Sequence, residues 1–166
     1  MTRARPDVRL RPLRAADAVT IAGWAADPEF RRAADWGSER TVADLEQFHA
    51  RLIAEPPASL LRLGVEHEGV LVGYVDLHGE EPGRRELGFV IGGRERWGDG
   101  LGRAAASAAL DLAFDVLGLT EVTAQADPDN HRSVAVLRRL GLTETAATDG
   151  RLSFRLVAEA RPRGEA

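Results

Sequence analysis

The sequence contains no cysteine and no lysine, and only 5% of its residues are aromatic. The absence of cysteine excludes disulfides, thiolate metal sites and a cysteine nucleophile. The absence of lysine excludes a Schiff-base lysine and the lysine of the ATP-binding phosphate loop. All 22 basic residues are therefore arginine.

Long apolar runs and an excess of positive charge are also lacking. No apolar stretch approaches the ~18 residues of a membrane span, and the first 14 residues show no apolar core of a secretion signal. We therefore expect a soluble, cytoplasmic protein without a membrane partner. The net charge of −4 argues against general nucleic-acid binding. No histidine and carboxylate residues have the spacing of metal ligands, so no metal is expected.

The length and the hydrophobic pattern predict one mixed α/β domain over 1–166, with a core at about 8–157. Residues 29–40 are expected to be irregular, because Asp27-Pro28 breaks the first helix, and the tail 158–166 is expected to fray. Strands are predicted at 8–14, 60–66, 70–77, 84–91, 120–126, 143–148 and 152–157. Helices are predicted at 15–26, from Thr41 to Pro56, at 101–118 and at 127–140. The order implies a largely antiparallel sheet with one parallel pair, 84–91 and 120–126.

The segment RERWGDGLGRAA at 94–105 has glycine at three alternate positions, immediately before a predicted helix. Glycines at a helix start allow a phosphate to approach the backbone N–H groups. The ATP-binding phosphate loop is excluded, because its lysine and its spacing are absent. A dinucleotide fingerprint matches at Gly100–Ala105. However, about eight residues separate the preceding strand from Gly100, where that fold requires a tight turn.

This segment resembles the pyrophosphate loop of the GNAT superfamily of N-acetyltransferases, with Gly100 and Gly102 in its two glycine positions. Trp97 stands where glutamine or arginine is usual. Downstream, ADPDNHRSVAVLRRLGL at 126–142 resembles the Asn-x-x-Ser-x-x-x-Leu-x-x-x-Gly-Phe motif of the branch that acetylates the N-termini of ribosomal proteins. The matching residues are Asn130, Ser133, Leu137 and Gly141. ELGFVI at 86–91 resembles the acyl-coenzyme-A strand, and LRPLRAADA at 10–18 resembles the first strand and helix, so the resemblance covers about residues 8–157.

The resemblance implies the GNAT fold: a mixed, mostly antiparallel sheet with a splayed parallel strand pair and helices on both faces. It implies acetyl-CoA as cosubstrate, with its pyrophosphate on the glycine loop and its pantetheine arm paired with the backbone of 89–91. A loop without a ligand is the alternative interpretation of the glycines. The implied cofactor-binding residues are Phe89, Val90, Ile91, Arg96, Trp97, Gly98, Asp99, Gly100, Leu101, Gly102, Arg103 and Asn130.

The resemblance also implies direct attack of a primary amine on the thioester. Glu86 is the candidate base, directly or through a water, with Asp76 and His78 as weaker substitutes, and a surface glutamate is the alternative. A bulge near Gly88 is expected to direct one N–H to the thioester carbonyl oxygen. The family's acidic tyrosine is missing, because its place corresponds to Leu137. Ser133 is therefore the candidate acid. The alternative is that Ser133 only forms hydrogen bonds at the start of the helix, and that Asn130 only caps this helix.

The acceptor is expected in the region of Trp36 and Arg31, with Asp76 as a further substrate-binding residue, although Trp36 could equally pack the core. A protein N-terminus is the first expectation for the acceptor, and a small amine such as an aminoglycoside is the second. A non-catalytic acyl-CoA-binding module is the third reading. The family resemblance also suggests a homodimer.

Overall fold

A seven-stranded sheet forms the centre of the molecule, which the computed structural model describes over residues 4–162. The strands are β1 (Arg9–Pro12), β2 (Leu60–His67), β3 (Val70–His78), β4 (Arg84–Ile91), β5 (Glu121–Ala126), β6 (Thr143–Thr148) and β7 (Arg151–Val157). Their order across the sheet is β1-β2-β3-β4-β5-β7-β6. Only β4 and β5 are parallel, as the sequence predicts for a strand-helix-strand unit.

In the described part of the chain, five α-helices lie on the two faces of this sheet. They are α1 (Asp17–Gly23), α2 (Pro28–Ala34), α3 (Val42–Ala54), α4 (Leu101–Asp111) and α5 (His131–Arg139). The apolar faces of α4 and α5 pack on the side chains of β3, β4, β5 and β7 in the main core. Helices α1 and α3 cover the opposite face of the first half of the sheet, over β3 and β4. The expected arrangement of helices on both faces is thereby confirmed.

The prediction that residues 29–40 are irregular is wrong for the first half of the segment. Asp27 caps α2 by accepting a hydrogen bond from the N–H of Glu29 at 3.0 Å, and Pro28 occupies the first turn. An aspartate followed by proline can start a helix as well as stop one, because proline needs no N–H partner in the first turn. The same pair therefore ends one helical segment and begins the next.

The predicted start of the helix at 127 is also wrong. Residues 127–129 form a turn, and α5 begins at His131 with Asn130 as its cap. The N-terminal cap of α3 was predicted correctly, since Thr41 and Asp44 form a reciprocal capping box.

The expectation of a frayed tail is wrong for residues 158–162. Ala158–Ala160 form a short 3-10 turn. Arg161 then pairs with Asp111 and Asp115 at the end of α4. The remainder of the predicted tail, 163–166, lies outside the described residues. Among the helices of residues 4–162, none is both long and apolar enough to cross a membrane.

Candidate active site

The functional site is built around a gap in the sheet between β4 and β5. The two parallel strands pair over only four positions, from Arg84 opposite Glu121 to Leu87 opposite Ala124. Beyond Leu87, β4 continues to Ile91 along β3, and the end of β5 pairs with β7 alone. The strands therefore diverge and leave an opening at their carboxyl ends, where ligands of α/β sheets commonly bind.

Two residues of β4 present their peptide groups to this gap. Peptide groups along an antiparallel strand point alternately toward the partner strand and away from it. The N–H of Gly92 donates to the carbonyl of Val72 on β3 at 2.8 Å. Val90 lies two residues before Gly92, so its peptide groups also point to β3. The peptide groups of Phe89 and Ile91 point the other way, toward the gap. Of the three residues expected to pair with pantetheine, Val90 is therefore the one whose backbone faces away.

The predicted bulge at Gly88 is wrong. The register between β3 and β4 runs without interruption from Gly73 opposite Ile91 to His78 opposite Glu86. What breaks at this point is the pairing on the other side of β4, where β5 departs. The first peptide N–H to face the gap after the break belongs to Phe89.

Trp97 closes the carboxyl end of the gap. Its indole N–H donates to the carbonyl oxygen of Ile91 at 3.0 Å. The guanidinium carbon of Arg132, in the first turn of α5, lies 4.8 Å from the centroid of the indole ring. Trp97 therefore joins the end of β4 to the start of α5, which explains why an aromatic side chain can replace a polar one at this position.

The glycine loop has the geometry of an anion cradle. Gly98 and Gly100 have φ of +86° and +85°, which other residues adopt only with strain. Gly102 lies in the first turn of α4 with ordinary backbone angles, and a Cβ there would lie 3.6 Å from Phe89, an ordinary contact. No contact within the described residues 4–162 therefore requires glycine at 102. The first N–H groups of α4 have no partner within the helix, so the residues present fit a pyrophosphate.

Of the other loop residues, some form contacts within the protein and some are exposed. Arg96 donates to the carbonyl oxygen of Gly92 at 2.9 Å, which orders the turn. The side chain of Leu101 is buried in the core, so only its backbone can reach a ligand. Asp99 and Arg103 are exposed.

Asn130 and Ser133 lie at the start of α5, on the other side of the gap. The N–H of Ser133 donates to Oδ1 of Asn130 at 3.2 Å, so Asn130 caps the helix. The amide of Asn130 also reaches the carbonyl of Ala33 at the end of α2, at 3.5 Å. Leu137 is buried in the main core, so the position of the missing tyrosine offers no group to the gap.

Glu86 lies on the opposite face of the sheet from α4 and α5. It is opposite Thr123 on β5, which in turn is opposite Arg155 on β7. Leu87 and Phe154, which alternate with these residues, belong to the main core. Glu86 is exposed and forms no ion pair within residues 4–162.

An open groove of about 660 Å³ runs along this face beyond α1 and α3, from the start of β4 across β5 and β7. Its polar lining includes His78, Glu80, Glu86, Thr123, Gln125, Thr145 and Ser153. Glu121 within it accepts hydrogen bonds from Arg155 at 2.9 and 3.2 Å, which lower the pKa of its carboxyl group. Arg84 pairs with Glu81. Glu81 and Glu121 are thus paired with arginines, whereas Glu80, Glu86 and Arg85 form no ion pair among the described residues.

Asp76 lies opposite Gly88, on the same face as Glu86. Arg62 on β2 donates to both of its carboxylate oxygens and covers the ring of Tyr74 at 4.0 Å. Burial raises the pKa of Tyr74 to about 12. Burial also lowers the pKa of His49, which contacts Arg62 at 3.4 Å, to about 4. The site thus holds a fixed ion pair beside the point where β4 and β5 separate.

The structure gives packing roles to the two residues expected to bind the acceptor through the irregular loop. The guanidinium of Arg31 donates to the carbonyl oxygens of Ala25, Gly37 and Arg40. Trp36 is half-buried and stacks edge-to-face on Phe30 at 5.0 Å. Arg31 thus braces the segment after α2 on itself, and Trp36 packs it against Tyr74 of the sheet.

Sequence reasoning missed Arg62 and Arg132. Arg62 alternates with apolar residues on β2 and resembles any solvated strand residue, so only the register reveals its pair with Asp76. Arg132 could have been noticed, because a cation in the first turn of a helix is opposed by the helix dipole. Within residues 4–162, no three histidine, aspartate or glutamate side chains are grouped so that they could hold a metal.

Comparisons with known proteins identify the family of the chain. The family model described as an acetyltransferase (GNAT) domain matches residues 7–143. An N-acetyltransferase named p20 from Bacillus licheniformis, itself described as uncharacterized, is 26% identical over 136 residues, covering 79% of this chain and 76% of its own.

Solved structures share the fold. RimJ from Mycobacterium smegmatis, in complex with CoA-disulfide, is 24% identical with a TM-score of 0.77, covering 94% of this chain and 84% of its own. The aminoglycoside acetyltransferase AAC(6')-Ib, in complex with coenzyme A, is 19% identical with a TM-score of 0.77, covering 93% and 96%. The family match, the diverging strand pair and the glycine cradle lead to one conclusion: the chain belongs to the GNAT family and is an acetyl-CoA-dependent N-acetyltransferase.

Proposed function

We propose that the acceptor is the free amino group at the N-terminus of a polypeptide, which lies in the groove beside Glu86. The observation that carries this proposal is the character of the groove. Its length is lined by hydroxyl and amide groups on β5, β6 and β7, which suit a neutral main chain. Its carboxylates at Glu81 and Glu121 are already paired with arginines.

An acceptor with several positive charges is less well matched. A polyamine or an aminoglycoside gains affinity from unpaired carboxylates, because each ammonium group must exchange its hydration for an anion. Glu80 and Glu86 are the groove carboxylates that form no ion pair within residues 4–162. A polypeptide N-terminus brings one ammonium group, which matches one carboxylate at the reaction point.

Acetyl-CoA supplies the acetyl group as a thioester, whose thiolate is the leaving group. We assign the pyrophosphate to the backbone of 98–103 and the amide-bearing arm to the peptide groups of Phe89 and the N–H of Ile91, whose carbonyl is engaged by Trp97. The N–H of Phe89 donates to the oxygen on which negative charge develops during attack, an effect of about 3 kcal/mol in measured cases.

The proton of the attacking amine goes to Glu86, directly or through a water. Glu86 is the exposed carboxylate on the acceptor side of β4, next to the start of the gap. A general base of this kind contributes about 10²–10⁴-fold in rate. A thiol has a pKa of about 8.5, so the thiolate can leave without a strong acid. Ser133 is the proposed proton donor to it, because it is half-buried at the start of α5 beside the gap.

An acceptor panel tests the proposal. Release of free thiol from acetyl-CoA is measured with lysine-free peptides that cover all N-terminal residues, with the same peptides acetylated at the N-terminus, with spermidine and with an aminoglycoside. We expect kcat/KM for the best free peptide to exceed the values for spermidine and the aminoglycoside at least tenfold, and the acetylated peptides to be inert. A higher kcat/KM for the aminoglycoside would establish the small-molecule alternative instead.

A further inference from the structure

The helices differ in the charge that each carries in its first turn. α1, α2 and α3 carry an acidic residue in the first turn, respectively Asp17, Glu29 and Asp44. α4 and α5, which begin on either side of the gap, have no acidic residue in the first turn. Arginine occupies this turn in both, as Arg103 and Arg132. The partial positive charge of a helix start opposes a cation, so both arginines are placed against the local electrostatic preference.

Arg132 is the better defined of these two cations. Its guanidinium carbon lies 4.8 Å from the ring centroid of Trp97, whose indole N–H is bonded to Ile91. No ion pair within residues 4–162 includes Arg132. Its contact is therefore an aromatic face, which attracts a cation by about 0.5–1 kcal/mol at an exposed site and leaves its charge uncompensated.

The ring also determines where that charge is held. Trp97 immediately precedes Gly98, the first glycine of the cradle, and its bond to Ile91 fixes it at the carboxyl end of β4. A guanidinium over a ring face keeps its in-plane N–H groups available for a second partner. Two such groups match two oxygens of a phosphate, which a compact ammonium group cannot do in the same way.

We propose that Arg132 binds a phosphate group of acetyl-CoA and that Trp97 is the platform that holds its guanidinium at the opening of the gap. The inference rests on the cosubstrate of the family and is independent of the identity of the acceptor. The pyrophosphate and the phosphate on the ribose share this chemistry, and the experiment separates them.

Calorimetric titration with coenzyme A, without acceptor, tests the proposal. The variants are Arg132→Met, Arg132→Lys and, as a matched control, Arg139→Met in the last turn of the same helix, which is equally exposed. We expect Arg132→Met to raise Kd at least tenfold, Arg132→Lys to give an intermediate Kd and Arg139→Met to stay within twofold. Thermal unfolding of the free variants verifies the fold. A Kd for Arg132→Met within twofold of the unchanged protein, with the fold intact, overturns the proposal.

A second titration with 3′-dephospho-coenzyme A identifies the phosphate. If the loss in Arg132→Met persists with this ligand, the guanidinium binds the pyrophosphate. If the loss disappears, it binds the ribose phosphate. Either pattern supports the proposal, because both require a phosphate on Arg132.

The platform is tested by a double-mutant cycle with Trp97→Leu. If the ring acts by holding Arg132, the double variant has nearly the Kd of Arg132→Met alone. If the double variant instead raises Kd by the product of the two single effects, the ring does not act through Arg132 and its proposed role is overturned.

Discussion

The guanidinium of Arg62 donates to both carboxylate oxygens of Asp76, at 2.7 and 2.8 Å, on the strand next to the diverging pair. Both oxygens of Asp76 are therefore held in a bidentate pair with a residue of the neighbouring strand. Glu86, two residues before Gly88 on the same face, has no such partner within residues 4–162.

The assignment of the base leads to a prediction on Glu86→Gln. We expect kcat to fall about 100-fold, as for loss of a general base, while Kd for coenzyme A stays unchanged. Steady-state rates from pH 6 to 9 are the measurement. Glu80→Gln, an exposed groove carboxylate of the same kind, is the control and should keep kcat within threefold. Full activity of Glu86→Gln at every pH would exclude Glu86 as the base.

Removal of one partner of the Arg62–Asp76 pair should destabilise the protein. Arg62→Met leaves a partly buried carboxylate without its cation, and we expect the free energy of unfolding to fall by about 3 kcal/mol. The double variant Arg62→Met with Asp76→Leu removes both charges and should regain most of this loss. Denaturant titration of both variants and the unchanged protein is the measurement. If the single and double variants lose the same free energy of unfolding, the unpaired carboxylate is not the cause of the loss.

The variant Gly102→Ala distinguishes an effect on stability from an effect on coenzyme A binding. Alanine in a helix is about 0.5–1 kcal/mol more favourable than glycine, and the added methyl group meets Phe89 in ordinary contact. We therefore expect unchanged or slightly increased stability, but a Kd for coenzyme A raised at least tenfold, because the methyl group lies where the pyrophosphate approaches. Gly23→Ala at the end of α1, with open space around it, is the matched control and should increase stability without changing Kd. Unchanged Kd in Gly102→Ala would place the pyrophosphate elsewhere.

Because His49 is buried, we expect the protein to lose stability in mild acid. Its pKa is about 4 in the folded protein and about 6.5 in an unfolded chain. Between these values the unfolded chain binds the additional proton, so the contribution of neutral His49 is complete above pH 6.5 and is lost as the pH falls toward 4. Unfolding midpoints from pH 7 to 4 should show a shallower decline for His49→Leu than for the unchanged protein. His78→Gln, exposed on β3, should follow the unchanged protein.

The regular part of the fold could be predicted from the sequence because it depends on local patterns. The bounds of β4 agree to the residue with the predicted 84–91, and both hairpins lie where glycine-containing turns separate β-rich runs. The helix α2 was missed because Asp27-Pro28 has the same local signature whether a helix stops or starts. The parallel pair follows from the order of elements, whereas its separation after Leu87 depends on packing that no local pattern encodes.

The candidate site was predictable only to the level of its motifs. The glycine cradle could be recognised because it depends on backbone angles that few residues other than glycine adopt. The positions of Trp36 and Arg31 could not be inferred, since the same side chains would suit a binding loop or a packed one. The path of residues 25–40 in the folded protein determines whether Arg31 contacts a ligand or three carbonyl groups, and no local pattern encodes this path.

The early end of pairing between β4 and β5 leaves the peptide groups of Phe89 facing the gap, and these groups belong to the backbone. Any residue type placed at this position keeps the carbonyl, and every type except proline keeps the N–H. If the amide-bearing arm of acetyl-CoA pairs here, as proposed, its recognition tolerates substitution of the side chain. Recognition of the phosphates, which the proposal assigns to glycines and an individual arginine, is the part that single substitutions would weaken first.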